Sequence, residues 1–257
     1  MKEFVKDKIT LIHGDCMDYM KDLPDNSIDM VFADLPYNMT ANKWDSIIDM
    51  DKLFNEYERI VKKSGALVFT ASQPFTSILV MQKPKWFKAE WIWVKNAGSN
   101  FGSVKHVPMK EHESILIFSN GGGKTTYNPI MQERAKSGAK RVKTTVNYNT
   151  KTNNYGESLH GKESSERPDL RYPSSVQHWN RERGIHPTQK PVGLVKYFVR
   201  TYTHEGEVVL DNVMGSGTTA IACQSTRRCF IGIEIDKDYY DAAVKRFKNH
   251  VTQLRLI

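Results

Sequence analysis

The sequence predicts an α/β domain built on a doubly wound, mostly parallel sheet, with one inserted basic region. Three observations carry that prediction. Short, nearly continuous apolar runs alternate with amphipathic segments at helical spacing, as strands and crossover helices do when a sheet is covered on both faces. A glycine-rich turn joins one such run to the helical segment after it. A length of 257 residues, 39% hydrophobic and 26% charged, supplies a large core and fits one α/β domain with a sizeable insert. The same figures exclude wholesale disorder, collagen and low-complexity chains.

In chain order, strands are predicted at Ile9 to His13, Ile28 to Ala33, Ala66 to Thr70, Trp91 to Val94 and Ser114 to Phe118. Between the second and third, Ile47, Phe54, Tyr57, Ile60 and Val61 recur at helical spacing, and Ser64-Gly65 reads as the stop signal. Beyond the insert, Val192, Val195, Phe198, Val199 and Tyr202 define another helix, followed by strands at Glu207 to Leu210 and Cys229 to Glu234. A last helix carries Tyr240, Ala243, Phe247 and Val251 on one face. No internal repeat is visible. The longest apolar runs, such as Ile115 to Phe118, fall far short of the roughly 20 residues of a membrane span. The charged stretch Met1 to Lys8 lacks the apolar core of a secretory signal, so a cytoplasmic location is expected. Cys16, Cys223 and Cys229 form no CxxC pair and no even disulfide framework, and are expected as reduced thiols.

Net charge is +8, and its location matters more than its size. Residues 120–184 hold twelve cations against six acids, which leaves +2 for the rest of the chain. From Arg134 to Lys151 there are six cations and no acid. Interleaved Tyr127, Tyr148, Tyr155 and Trp179, with many Asn and Thr, add base-contacting groups to phosphate-seeking charge, so a polyanionic partner is suggested. A solvated loop accounts for the charge equally well.

The strand ending in Asp211 runs into Asn212-Val213-Met214-Gly215-Ser216-Gly217-Thr218-Thr219-Ala220, a match to G-x-G-x-x-G/A at a strand-to-helix turn. Glycines there let a ligand approach the backbone, and the helix start offers unpaired N–H groups. The next strand ends at Glu234, 19 residues after Gly215, where a carboxylate can accept hydrogen bonds from ribose hydroxyls. The motif implies a nucleoside-containing cofactor, with NAD and S-adenosylmethionine equally compatible. The run Gly121-Gly122-Gly123-Lys124-Thr125 is not a P-loop, because Phe118 stands where that motif requires glycine.

The strand Ile28 to Ala33 ends in Asp34-Leu35-Pro36-Tyr37-Asn38, which puts a carboxylate, a prolyl carbonyl and an aromatic ring at a strand's carboxyl end, where open α/β sheets bind ligands. Two convergent acceptors and a stacking face suit a planar aminated base. Here the chain resembles the amino-group DNA methyltransferases that use S-adenosylmethionine, whose catalytic motif is (D/N/S)-P-P-(Y/F/W). Three further stretches look like that family: His13-Gly14-Asp15-Cys16, His186-Pro187-Thr188-Gln189-Lys190-Pro191, and Asp211 to Thr219 as the D-P-F-x-G-S-G-T-T signature. Their order, catalytic motif, variable region, cofactor loop, resembles the β class. The chain departs from the pattern at Leu35, in place of the first proline, and at Asn212-Val213, in place of Pro-Phe.

The resemblance implies a Rossmann-like methyltransferase fold in three parts: a catalytic half over 1–119, an inserted target-recognition region over 120–184 and a cofactor-binding half over 185–257. It implies methyl transfer to adenine N6 of a flipped-out nucleotide, with cytosine N4 as the alternative. Asp34 and Pro36 would hold the amine and Tyr37 would stack on the base. Asp15 and Cys16 would lie near the cofactor adenine and Glu234 on its ribose. Asp34, Asp211, Gly215, Ser216, Gly217 and Thr218 would line its approach, with Thr188 and Lys190 near its methionine carboxylate. No metal is implied. Arg134, Lys136, Lys140, Arg141 and Lys143 would contact double-stranded DNA, and Asn96 is a candidate reader of base edges. A homodimer and a cognate restriction endonuclease remain open as partners. A dehydrogenase would explain the glycine turn and Glu234 but not Asp34 to Tyr37, and a silent DNA-binding protein would explain the insert alone.

Overall fold

A computed structural model of the chain describes residues 2–36, 48–134, 169–182 and 189–254. In chain order its elements are β1 (Lys2–Lys6), β2 (Ile9–His13), α1 (Cys16–Met20), β3 (Ile28–Ala33), α2 (Met50–Ile60), β4 (Val61–Ala71) and α3 (Phe75–Gln82). There follow β5 (Phe87–Ser99), β6 (Lys110–Ser119), β7 (Gln132–Glu133), β8 (Leu170–Arg171) and β9 (Val176–His178). The chain closes with α4 (Val192–Tyr202), β10 (Val208–Asp211), α5 (Thr218–Ser225), β11 (Cys229–Glu234) and α6 (Lys237–Leu254).

Two compact units result: Met1–Asn128 with Ser175–Ile257, and Pro129–Ser174. The larger holds a nine-stranded sheet ordered β1-β2-β11-β10-β3-β4-β6-β5-β9. Pairing is parallel from β2 through β11, β10 and β3 to β4, and between β5 and β9. It is antiparallel at β1–β2, β4–β6 and β5–β6. The expected doubly wound, mostly parallel sheet is present, and the sheet extends into the stretch 120–184 through β9. The smaller unit pairs β7 with β8 antiparallel. Among the described residues no helix is long and apolar enough to cross a membrane.

Alternation along the strands builds a core on each face. Val31, Ala33, Leu67, Phe69, Leu116 and Phe118 form one layer with Leu53, Phe54, Tyr57 and Ile60 of α2. Each such fully buried side chain contributes roughly 1.5–3 kcal/mol. The intervening Met30, Phe32, Val68 and Ile117 are buried as well, and Trp91 of β5 packs edge-on against Phe198 of α4.

The α2 prediction needs one correction. The helix, capped by Asp49, whose carboxylate accepts the Lys52 N–H at 3.1 Å, ends at Ile60, where Val61 turns extended (φ −84, ψ 133). Ser64-Gly65 is therefore not its stop signal but part of β4. A Cβ on Gly65 would stand 2.5 Å from Val61 Cγ1 and 2.9 Å from the Asp29 carbonyl oxygen, so glycine permits close strand packing beside an irregularity in the β3–β4 ladder. The Gly121 to Gly123 run forms a tight turn after β6, with Gly121 and Gly122 at φ +73 and +80.

Candidate active site

The sheet order reverses between β10 and β3, since β10 continues to β11 on one side and β3 to β4 on the other. Open α/β sheets bind ligands at the carboxyl ends of strands flanking such a point. A cavity of about 330 Å³ lies there. Its wall takes Gly14, Asp15 and Cys16 after β2, Asp34 and Pro36 after β3, Asp211 at the end of β10 with Asn212 to Ser216 after it, and Glu234 at the end of β11. Segments far apart in sequence converge because four parallel strands end on one edge.

Asp34 is held from two sides. Thr70 Oγ1, fully buried at the end of β4, donates to its Oδ1 at 2.5 Å. Lys190 Nζ donates to its Oδ2 at 2.5 Å and stands 3.4 Å from Glu113 Oε2. Glu113 Oε1 pairs in turn with Lys95 Nζ at 2.5 Å. Burial pushes the Glu113 carboxyl up, but Lys190 and Lys95 outweigh it and hold the group down at about 2. Leu35 is 1% exposed and joins the core, so the turn is anchored by burial where the resembled motif has its first proline.

The glycine turn is equally defined. Gly215 sits at φ +50 and Gly217, the cap of α5, at φ +73, conformations that favour glycine. A Cβ on Gly217 would meet Ala243 Cβ at 3.1 Å. Glu234 accepts the Gly215 N–H through Oε2 and the Asp236 N–H through Oε1, each at 2.8 Å, so its carboxylate braces the turn. Arg246 of α6 donates to Ser216 O at 3.1 Å and to Thr218 Oγ1 at 2.9 Å from behind. Asp211 accepts Thr219 Oγ1 at 2.6 Å and the Val213 N–H at 3.2 Å. Burial nonetheless pushes its carboxyl up to about 7, with Asp34 and Glu234 adding to the rise. Burial also raises Glu234, and it raises the Cys16 thiol to about 11.

At the second departure, the Tyr57 hydroxyl donates to Asn212 Oδ1 at 2.7 Å, and Asn212 Nδ2 lies 3.7 Å from Cys16 Sγ. A buried polar link joining α2, β10 and α1 thus stands where the resembled signature has proline.

Asp15, Cys16, Asp34, Pro36, Lys190, Asp211, Gly215, Ser216, Thr218 and Glu234 all line the one cavity, with Gly217 in its glycine turn. Asp15 also caps α1 through the Met17 N–H at 2.7 Å. Tyr37, Thr188, Lys136, Lys140, Arg141 and Lys143 lie outside the described residues. Arg134 belongs to the smaller unit, where its Nε donates to the Leu170 carbonyl at 2.7 Å. Asn96 Oδ1 accepts the Arg181 N–H at 2.9 Å, a backbone-bracing interaction. Sequence reasoning missed Thr70, Glu113, Lys95, Tyr57 and Arg246. Only Glu113 left a trace, as a charge two residues before the apolar run of β6.

The model of the N6/N4 family, described as DNA methylase, matches residues 28–245. The DNA adenine methyltransferase YhdJ of Escherichia coli K12 is 30% identical over 258 residues, covering 92% of this chain and 82% of its own. Among solved structures, the M1.HpyAVI–SAM complex aligns at TM-score 0.61 and 21% identity, covering 93% of this chain and 98% of that one. The cytosine-N4-specific PvuII DNA methyltransferase aligns at TM-score 0.63 and 15% identity, covering 95% and 87%. These two establish likeness of fold. With the family match spanning most of its length and its Asp34–Pro36 and glycine turns meeting in one cavity, the chain belongs to the N6/N4 family of DNA methylases.

Proposed function

We propose that the chain transfers a methyl group from S-adenosylmethionine to the exocyclic N6 of an adenine flipped out of double-stranded DNA. The observation that carries this reading is the Asp34 carboxylate, fixed by Thr70 and Lys190 beside Pro36 in the cavity of the glycine turn. The lining suits the cofactor chemically. Asp15, Asp49 and Glu234 offset a cationic sulfonium and accept hydroxyl donors, while Phe32, Ile48, Val213 and Ile235 offer apolar walls. In this reading Glu234 serves the ribose and Asp15 with Cys16 the adenine. Asp211, the Gly215 to Thr218 turn, Thr188 and Lys190 serve the rest of the molecule.

The cofactor supplies an electrophilic methyl on a sulfonium sulfur. An exocyclic amine is a poor nucleophile, because its lone pair is delocalised into the ring. Asp34 and the Pro36 carbonyl accept the amine's two hydrogens and hold its lone pair out of the ring plane, towards the methyl. Asp34 also takes the proton that the methylated amine must shed. Tyr37 stacks on the extruded base, and Arg134, Lys136, Lys140, Arg141 and Lys143 bind phosphates. An Asp at the first catalytic position and the likeness to YhdJ, a DNA adenine methyltransferase, favour adenine.

The test is to incubate the chain with labelled S-adenosylmethionine and unmethylated plasmid DNA, digest to nucleosides and identify them by mass. N6-methyladenine is expected. N4-methylcytosine as the sole product would overturn the choice of base, and an unlabelled digest would overturn the whole reading.

A further inference from the structure

We propose that Glu113 and Lys95 are positioning residues for methyl transfer, holding the Lys190 ammonium against Asp34 and through it fixing the carboxylate that receives the amine. The proposal rests on the reading of Asp34 given above. Its starting point is register. Ser114 of β6 pairs with Ala71, the last residue of β4, so Glu113 stands one step past the β4 ladder, on the sheet edge where Thr70 meets Asp34.

From there, four charges of alternating sign form a chain that ends on Asp34, the most exposed of them. Lys95 Nζ meets Glu113 Oε1 at 2.5 Å, Glu113 Oε2 faces Lys190 Nζ at 3.4 Å, and Lys190 Nζ meets Asp34 Oδ2 at 2.5 Å. The side chains of Lys95, Lys190 and Glu113 are only 6, 10 and 20% exposed, whereas Asp34 reaches 32% where it borders the cavity. A buried ion-pair chain is a poor device for stability alone, since apolar side chains of similar volume do as well. This one delivers a directed cation to a single carboxylate oxygen while Thr70 fixes the other. The strong depression of the Glu113 carboxyl agrees with an ionised bridge between two ammonium groups.

Among the described residues, the charged groups facing Lys190 are Asp34 and Glu113, with Lys95 and Lys110 as nearby cations. Removing the Glu113 charge leaves two cations beside a buried ammonium and weakens its hold on its proton. The rate should then fall at a lower pH than in the wild type, as Lys190 is neutralised and releases Asp34.

The experiment compares the full-length wild type with Glu113→Gln, Glu113→Asp and Asp34→Asn, using S-adenosylmethionine and unmethylated plasmid DNA. For Glu113→Gln we expect kcat to fall roughly 10- to 100-fold, as for other partners that orient a reacting group. KM for the cofactor, and its affinity by calorimetry, should stay within about threefold of wild type, and the alkaline limb of the kcat–pH profile should move down by about one unit. Glu113→Asp should restore most of the limb. If Glu113→Gln fails to fold, the double variant Lys95→Met with Glu113→Gln, which removes one charge of each sign, should move the limb in the same direction by a smaller amount, since one cation fewer then stands beside Lys190. A wild-type limb with near-normal kcat, or a loss of rate matched by a loss of cofactor affinity, would overturn the proposal. Failure of the underlying reading looks different: the wild type would transfer no methyl to DNA, or Asp34→Asn would keep its turnover.

Discussion

Replacing Asp34 by Asn changes charge and donor pattern while leaving volume almost untouched. Each carboxylate oxygen already accepts one donor at 2.5 Å, Thr70 Oγ1 on Oδ1 and Lys190 Nζ on Oδ2. An ionised carboxylate has about four lone-pair sites, so each oxygen keeps one for a substrate amine. Asn retains one carbonyl oxygen and places an N–H donor where the other oxygen was. If the carbonyl stays with Thr70, the amide donor faces the Lys190 ammonium; if it turns to Lys190, Thr70 loses its acceptor. Losing one preorganised group of this kind costs about 10²–10³ in kcat, or ~2.7–4 kcal/mol. Losing the negative charge beside an amine that becomes cationic as it is methylated adds to that, so a fall of at least roughly 10³ is expected. Lys190 keeps Glu113 at 3.4 Å, so the stability cost should stay below the ~3–5 kcal/mol of a buried charge left alone. Single-turnover transfer of a tritiated methyl to DNA measures the rate, and calorimetry the cofactor affinity, which should change by less than about threefold because Glu234, Asp15 and the glycine turn are intact. Turnover within about tenfold of wild type in a folded protein would refute the assignment of Asp34 to the amine.

Gly215→Val puts a β-branched side chain at φ +50 in the cavity wall and should weaken S-adenosylmethionine binding by more than roughly 100-fold without unfolding the chain; calorimetry with circular dichroism decides, and undiminished affinity removes the glycine turn from the cofactor site. Asp211 has its carboxyl raised from 3.8 to about 7, so the native state keeps a proton that the unfolded chain sheds, and up to about 4 kcal/mol of stability present below pH 3.8 is lost as pH climbs through 7. Asp211→Asn has no such proton, so its urea stability should fall much less than wild type between pH 5 and pH 8; equal slopes would sink this account. Changing Lys136, Lys140, Arg141 and Lys143 together to Ala should weaken DNA binding and reduce the salt slope by about 0.9 for each phosphate no longer neutralised, with cofactor affinity constant; a filter-binding titration that keeps both affinity and slope would return this stretch to a solvated loop.

The sequence alone determined whatever is written in neighbouring residues. Apolar periodicity placed β2, β3, β10, β11 and the helices α2, α4 and α6, because burial acts on spacings of two and 3.6 residues. The Asp34–Pro36 and glycine turns were legible as short strings at strand ends, and the cavity joins them. Tertiary structure decided what those strings meet. Lys190 grips Asp34 across 156 residues of chain and Tyr57 reaches Asn212 across 155, and neither pairing leaves a mark in local pattern. Tyr57 looked like one more apolar position of α2, since a buried hydroxyl that finds an acceptor is indistinguishable in sequence from a core ring. Ser64-Gly65 looked like a helix stop because glycine serves both helix ends and close strand packing, and only the nearness of the Asp29 carbonyl and Val61 separates the two. The order of the sheet, which brings β3 against β10, is set by which faces bury best against which helices. That sum over the whole chain, not any one segment of it, carries Thr70, Glu113 and Lys95 to the edge where Asp34 stands.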